Sequence, residues 1–152
     1  MRAMLAFAGL ALLGGTAFAQ EDLVIDQSSL YVTDPMACEA LEKNGPNAWV
    51  DLDFLSLSFA DGIQSMEFHC GFYDIKSRAN SPLLFVDAVC QMPGELYPDI
   101  LAIAPNGDDS IIVVSGSETT LALASSDAPP SDNPVGTTLY HRCDNLSEIP
   151  LD

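Results

Sequence analysis

Apolar and polar residues alternate with a period of two along much of this chain, the pattern of strands with one buried face. Residues 49–59 (WVDLDFLSLSF) alternate well, but neither parity is purely apolar, so a change of facing part-way along is expected. Ala60-Asp61-Gly62 is a hairpin signal, and 63–73 follows as its partner strand. Within it, QSMEFHCGFYD (64–74) places Met66, Phe68, Cys70 and Phe72 on one face and Glu67, His69 and Tyr73 on the other. A polar loop over 74–82 precedes a third strand over 83–92, with Leu84, Val86, Ala88, Cys90 and Met92 on one face. Pro93-Gly94 opens a connection ending near Pro98. Strands over 99–104, 111–115, 119–124 and 137–143 follow, with Asn106-Gly107 a strong turn between the first two and Gly116 a turn before the third.

The period changes near the front of the mature chain. A short strand near Leu23–Ile25 leads into a helix over 34–44, capped by Thr33 or Asp34, with Pro35 suited to its first position and Gly45-Pro46 ending it. Cys38 and Leu41 share a face, so the helix should dock through Cys38. Residues 125–136 (SSDAPPSDNPVG) offer little to bury and read as a mobile Pro-rich surface loop. The fold class is mainly β: an antiparallel meander of about seven strands forming a small barrel or a sandwich, with one short N-terminal helix over an open end or edge.

Composition then sets the compartment. Arg2, the apolar run Met4–Leu13 and Ala17-Phe18-Ala19 form a bacterial-type Sec signal over 1–19, leaving a single domain over 20–152. The apolar run is too short to span a bilayer, so no membrane insertion is expected after cleavage and the product is periplasmic or secreted. The chain carries 22 acidic and 5 basic residues, and losing Arg2 with the signal takes the net charge from −17 to −18. Such a field repels phosphate backbones and anionic lipid, which argues against nucleic-acid and membrane-surface binding and favours a basic protein partner.

Four cysteines, Cys38, Cys70, Cys90 and Cys143, are an even set in an oxidising compartment and read as two disulfides, with three pairings open. No Cys-x-x-Cys suggests zinc or redox chemistry. Glu67 and His69, two apart on one strand face, could share a metal with His141. Strand parity argues against this trio. If Cys70 and Cys143 both point inward, His69 points outward and His141 inward. The His-Cys neighbours do not make a nucleophile, because adjacent strand residues face opposite ways. No nucleophile elbow, phosphate loop or dinucleotide fingerprint is present. Asp51 and Asp53 share a strand face but lack a supporting calcium motif, and no cofactor is implied. Trp49, Tyr97 and Tyr31 are best read as plugs for the ends of the barrel.

These features favour an exported, non-enzymatic binding or inhibitor-like module with a strongly acidic surface. One alternative is a small-molecule or lipid carrier in a small β-barrel. A second is a metal-dependent site around Glu67 and His69.

Overall fold

A computed structural model describes residues 24–125 and 134–147. The segment 1–19, expected to be a signal, and most of the Pro-rich loop lie outside the described residues. Eight strands among the described residues pair antiparallel, each with the next, and β8 pairs back onto β1 to close a barrel. They are β1 (Ser29–Val32), β2 (Ser56–Ser58), β3 (Gly62–Gln64), β4 (His69–Ser77), β5 (Leu84–Met92), β6 (Glu95–Pro105), β7 (Ser110–Ser115) and β8 (Thr137–Ser147). Closure decides between barrel and sandwich and leaves no sheet edge for the helix to cover.

The strand ends depart from the alternation pattern in instructive places. A strand forms at Ser29–Val32; of the stretch expected as strand near Leu23–Ile25, Leu23 lies outside the described residues and Val24 and Ile25 are not strand, although Ile25 joins the same core as Tyr31. The long strand expected over 49–59 is mostly absent: α2 (Ala48–Asp51) begins it, and only Ser56–Ser58 pair as strand. Asp51 therefore ends a helical turn and does not share a strand face with Asp53. The 63–73 strand splits into β3 and β4 around a turn in which the Ser65 N–H donates to the Phe68 carbonyl at 2.7 Å. Met66 consequently sits exposed, while Cys70 points into the barrel as its alternation demands.

α1 (Met36–Asn44) matches the expected helix, with Asp34 Oδ1 accepting the Met36 N–H at 2.9 Å. A single 3₁₀ turn over Gly45–Asn47 joins it to α2. These helices cover the outside of the wall. Ala37, Leu41, Ala48 and Phe54 bury Leu30, Val32 and Cys143, which face out from β1 and β8. The strand expected over 119–124 is instead α3 (Gly116–Ala124). Ser115-x-x-Glu118 carries the residues of a capping box, and the Ser115 hydroxyl oxygen accepts the Glu118 N–H at 3.0 Å.

The barrel interior is apolar, built on Leu57, Val86, Leu101, Ile103, Ile111 and Tyr140. Apolar-in packing is the reverse of a lipid-spanning barrel, whose lumen is polar. Two strands are apolar on their other face as well. Outward from β6 point Leu96, Pro98, Ile100, Ala102 and Ala104, while Ile112 and Val114 point outward from β7. No helix long and apolar enough to cross a membrane occurs among the described residues.

Candidate functional site

The four cysteines settle first. Cys70 and Cys90 face each other across β4 and β5 and are joined. Cys38 on α1 is joined to Cys143 on β8. Cys70, Cys90 and Cys143 are each at most 2% exposed, and no cysteine is free. Cys38 is half-buried, and all four sulfurs are paired. The expectation that the helix docks through Cys38 holds.

Cys143 does not point inward, however. It faces outward, beneath α1, on the same side of the wall as Val32. His141, paired with Val32, therefore faces outward too. His69, opposite in parity to buried Cys70, is also outward and exposed. The histidines share the outer face, which reverses the parity expectation, yet they do not meet. β4 and β8 lie four strands apart in either direction round the barrel. Glu67 and His69 line the same cleft of about 440 Å³, with Met92 and Pro93, and His141 is remote from both. The described residues contain no group of three or more His, Cys, Asp or Glu placed to hold a metal. The His69 Nε2 lies 3.2 Å from the Asp61 carbonyl oxygen, a contact that ties the imidazole to the β2–β3 hairpin.

On the other side of the Ser65–Glu67 turn lies a second cleft, of about 420 Å³, floored by residues 49–54. Its formation follows from α2. The helical turn leaves Val50 69% exposed and swings Asp51 outward, and the irregular stretch after it exposes Asp53. Met66, 59% exposed, and Glu67 form the opposite wall. Trp49 stacks on Phe54 at 5.9 Å between centroids, and its indole N–H is buried without a partner. Three carboxylates thus surround two exposed apolar side chains. The cations Lys43, Lys76 and Arg142 are engaged elsewhere, by Glu39, by Asp74 and Asp87, and by Asp109 and Asp144.

A third polar group sits in the wall itself and gave no signal in the alternation pattern. Asp99, on β6, is 7% exposed. Its Oδ2 accepts the Ser115 hydroxyl at 2.5 Å, and its Oδ1 accepts the N–H groups of Ile100 and Ser117 at 2.8 and 2.9 Å. The group anchors the α3 N-terminus, where a carboxylate is favourable. Glu118 faces it, and burial, followed by the Asp99 charge, pushes the Glu118 carboxyl up. Burial likewise pushes the Tyr140 phenol up. Both line an interior cavity of about 30 Å³, together with Tyr97, Thr138 and the Cys70–Cys90 pair. Of the aromatics singled out in the sequence, Tyr31 enters the core, with its hydroxyl donating to the Asp26 carbonyl at 2.9 Å. Tyr97 packs against that core, and Trp49 belongs to the outer layer under α1.

Comparison with protein-family models, with curated proteins and with solved structures returns no match.

Proposed function

We propose that this is an exported, non-enzymatic binding protein that takes a basic protein partner at the cleft between residues 49–54 and 65–67. One observation carries the reading: Asp51, Asp53 and Glu67 stand exposed around Val50 and Met66 in a concave site of about 420 Å³. An apolar floor with a charged rim suits a lysine or arginine side chain, whose alkyl stem packs while its head reaches a carboxylate. The surrounding acidic field would speed the encounter with such a partner and repel acidic ones.

The carrier reading finds less support. Ligand pockets usually span roughly 300–1,000 Å³, whereas the barrel interior leaves about 30 Å³. The reading of a metal at Glu67, His69 and His141 lacks its third ligand, because the barrel keeps His141 on the far wall.

The test is affinity capture from the exported fraction, comparing the wild-type chain with Asp51→Asn/Asp53→Asn/Glu67→Gln. All three side chains are exposed, so the fold should survive. A partner released by salt and absent from the variant supports the reading. A partner held as well at high salt as at low, or recovered equally by the variant, sinks it.

A further inference from the structure

The interior cavity of about 30 Å³ is too small for a carried metabolite, yet its walls are not those of an apolar void. Two carboxyls, Asp99 and Glu118, and three aromatic side chains, Phe68, Tyr97 and Tyr140, line it. Thr138 joins them, opposite buried Val113 across β7 and β8. Neither carboxyl has a cationic partner, because the ion pairs among the described residues take Lys43, Lys76 and Arg142 to other carboxylates. The Asp99 oxygens are already occupied by the Ser115 hydroxyl and by the Ile100 and Ser117 N–H groups. Glu118 is the open one. Its carboxyl and the Tyr140 hydroxyl have no hydrogen-bond partner among the described residues, although Tyr140 is only 1% exposed. A buried hydroxyl ordinarily finds a partner, so this one points to a ligand in the cavity it lines. Part of Tyr97 and of Glu118 reaches solvent, and the cavity opens on their side.

We propose that this cavity binds a primary ammonium group, the head of a small amine or of a lysine side chain, with Glu118 as its counter-charge. Size sets the upper limit. One water needs roughly 10–15 Å³, so a cavity of about 30 Å³ takes a group of one or two heavy atoms, such as ammonium or methylammonium, and excludes a quaternary ammonium. Charge and donors set the rest. An alkylammonium carries three donors and no acceptor, which matches one open carboxylate and the hydroxyl oxygens of Tyr140 and Thr138. Aromatic rings attract a cation that has left water. A calcium ion would demand about six to eight oxygens, and Asp99 has none to spare. Burial, followed by the Asp99 charge, pushes the Glu118 carboxyl up, so a proton competes with the amine. The titratable groups facing Glu118 are Asp99 and Tyr97 from β6 and Tyr140 from β8, with Glu95 acting on Tyr97 from the start of β6.

An NMR titration of the purified chain at neutral pH, followed at the Ser117 and Glu118 amides, tests this. Methylammonium chloride should shift these resonances to saturation, and tetramethylammonium chloride or sodium chloride at the same ionic strength should not. Nα-acetyllysine amide separates the sources: saturation by it as well assigns the group to lysine side chains, and saturation by methylammonium alone assigns it to free small amines. Glu118→Gln should weaken methylammonium binding about tenfold, and Tyr140→Phe, which removes only a hydroxyl, about threefold. Acidification should weaken it as Glu118 takes up its proton. If a variant misfolds, the comparison of methylammonium with tetramethylammonium on the wild-type chain decides. Shifts that do not saturate, that tetramethylammonium or sodium reproduces, or that Glu118→Gln leaves intact would overturn the proposal. None of Asp51, Asp53 and Glu67 lines this cavity, so this idea and the basic partner at the cleft stand or fail separately.

Discussion

Two carboxyls with opposite shifts set the pH response of single residues. Asp26 accepts hydrogen bonds from the Ser28 and Ser29 hydroxyls and the Ser28 N–H, which together hold its carboxyl at about 2, below the ordinary 3.8. A lowered carboxyl contributes stability that is present above its ordinary value and lost as pH falls towards the folded one. Asp26→Asn should therefore flatten the loss of stability between about pH 4 and 2, as followed by thermal unfolding. Glu118 has the reverse sign. Its raised carboxyl contributes stability that is full below the ordinary glutamate value and lost as pH rises through the folded one. Glu118→Gln should thus unfold at a higher temperature than wild type at neutral pH, and the gap should close on acidification. A gap that widened in acid would refute the assignment of Asp99 and burial as the cause. The Glu118 shift was not readable from sequence, because it depends on burial and on Asp99 brought beside it by folding, whereas the Asp26 shift comes from Ser28 and Ser29, two and three residues on.

At the scale of elements, caps and close approaches decide more than periodicity does. Leu121 and Leu123 alternate as a strand would, yet both stand exposed on a helix. The Ser115 cap and its bond to buried Asp99 fix the backbone at the point where β7 would otherwise continue. Ser115→Ala removes the cap and leaves Asp99 without its hydroxyl partner, an expected cost of about 1–3 kcal/mol in urea unfolding. Gly62 is similarly local. Its φ is +91°, and a Cβ there would lie 2.0 Å from the Cys70 carbonyl oxygen. Gly62→Ala should cost about 2–4 kcal/mol, through strain and the forced separation of β3 from β4. The hairpin signal Ala60-Asp61-Gly62 was visible in the sequence, whereas the carbonyl that makes glycine obligatory was not. Asn106-Gly107, by contrast, forms the turn its residues favour, with Gly107 at φ +77°.

For the whole molecule, charge and cross-links act against each other. A net charge of −17 strains the folded state by self-repulsion, so the melting temperature should rise with moderate salt. The disulfides oppose unfolding. The Cys70–Cys90 bridge spans 20 residues and should contribute about 3 kcal/mol in the chain-entropy model. The Cys38–Cys143 bridge spans 105 and should contribute nearer 5 kcal/mol. Cys38→Ala/Cys143→Ala should therefore lower stability more than Cys70→Ala/Cys90→Ala, read from denaturant midpoints. Thiol titration of the native protein should find no reactive sulfhydryl, and one or more would contradict the pairing of the four cysteines.

Alternation, turn residues and an even cysteine count were enough to read an antiparallel, mainly β chain with two disulfides and an N-terminal helix. Those properties are written in near neighbours, within the reach of one strand, turn or helical turn. Tertiary structure alone decided that β8 returns to β1, that Cys38 meets Cys143, and that the two histidines share a face without meeting. It also decided that α2 opens an acidic cleft and that β6 and β7 turn an apolar face outward. Each of these depends on residues far apart in sequence being brought side by side, and barrel closure is the step that does so.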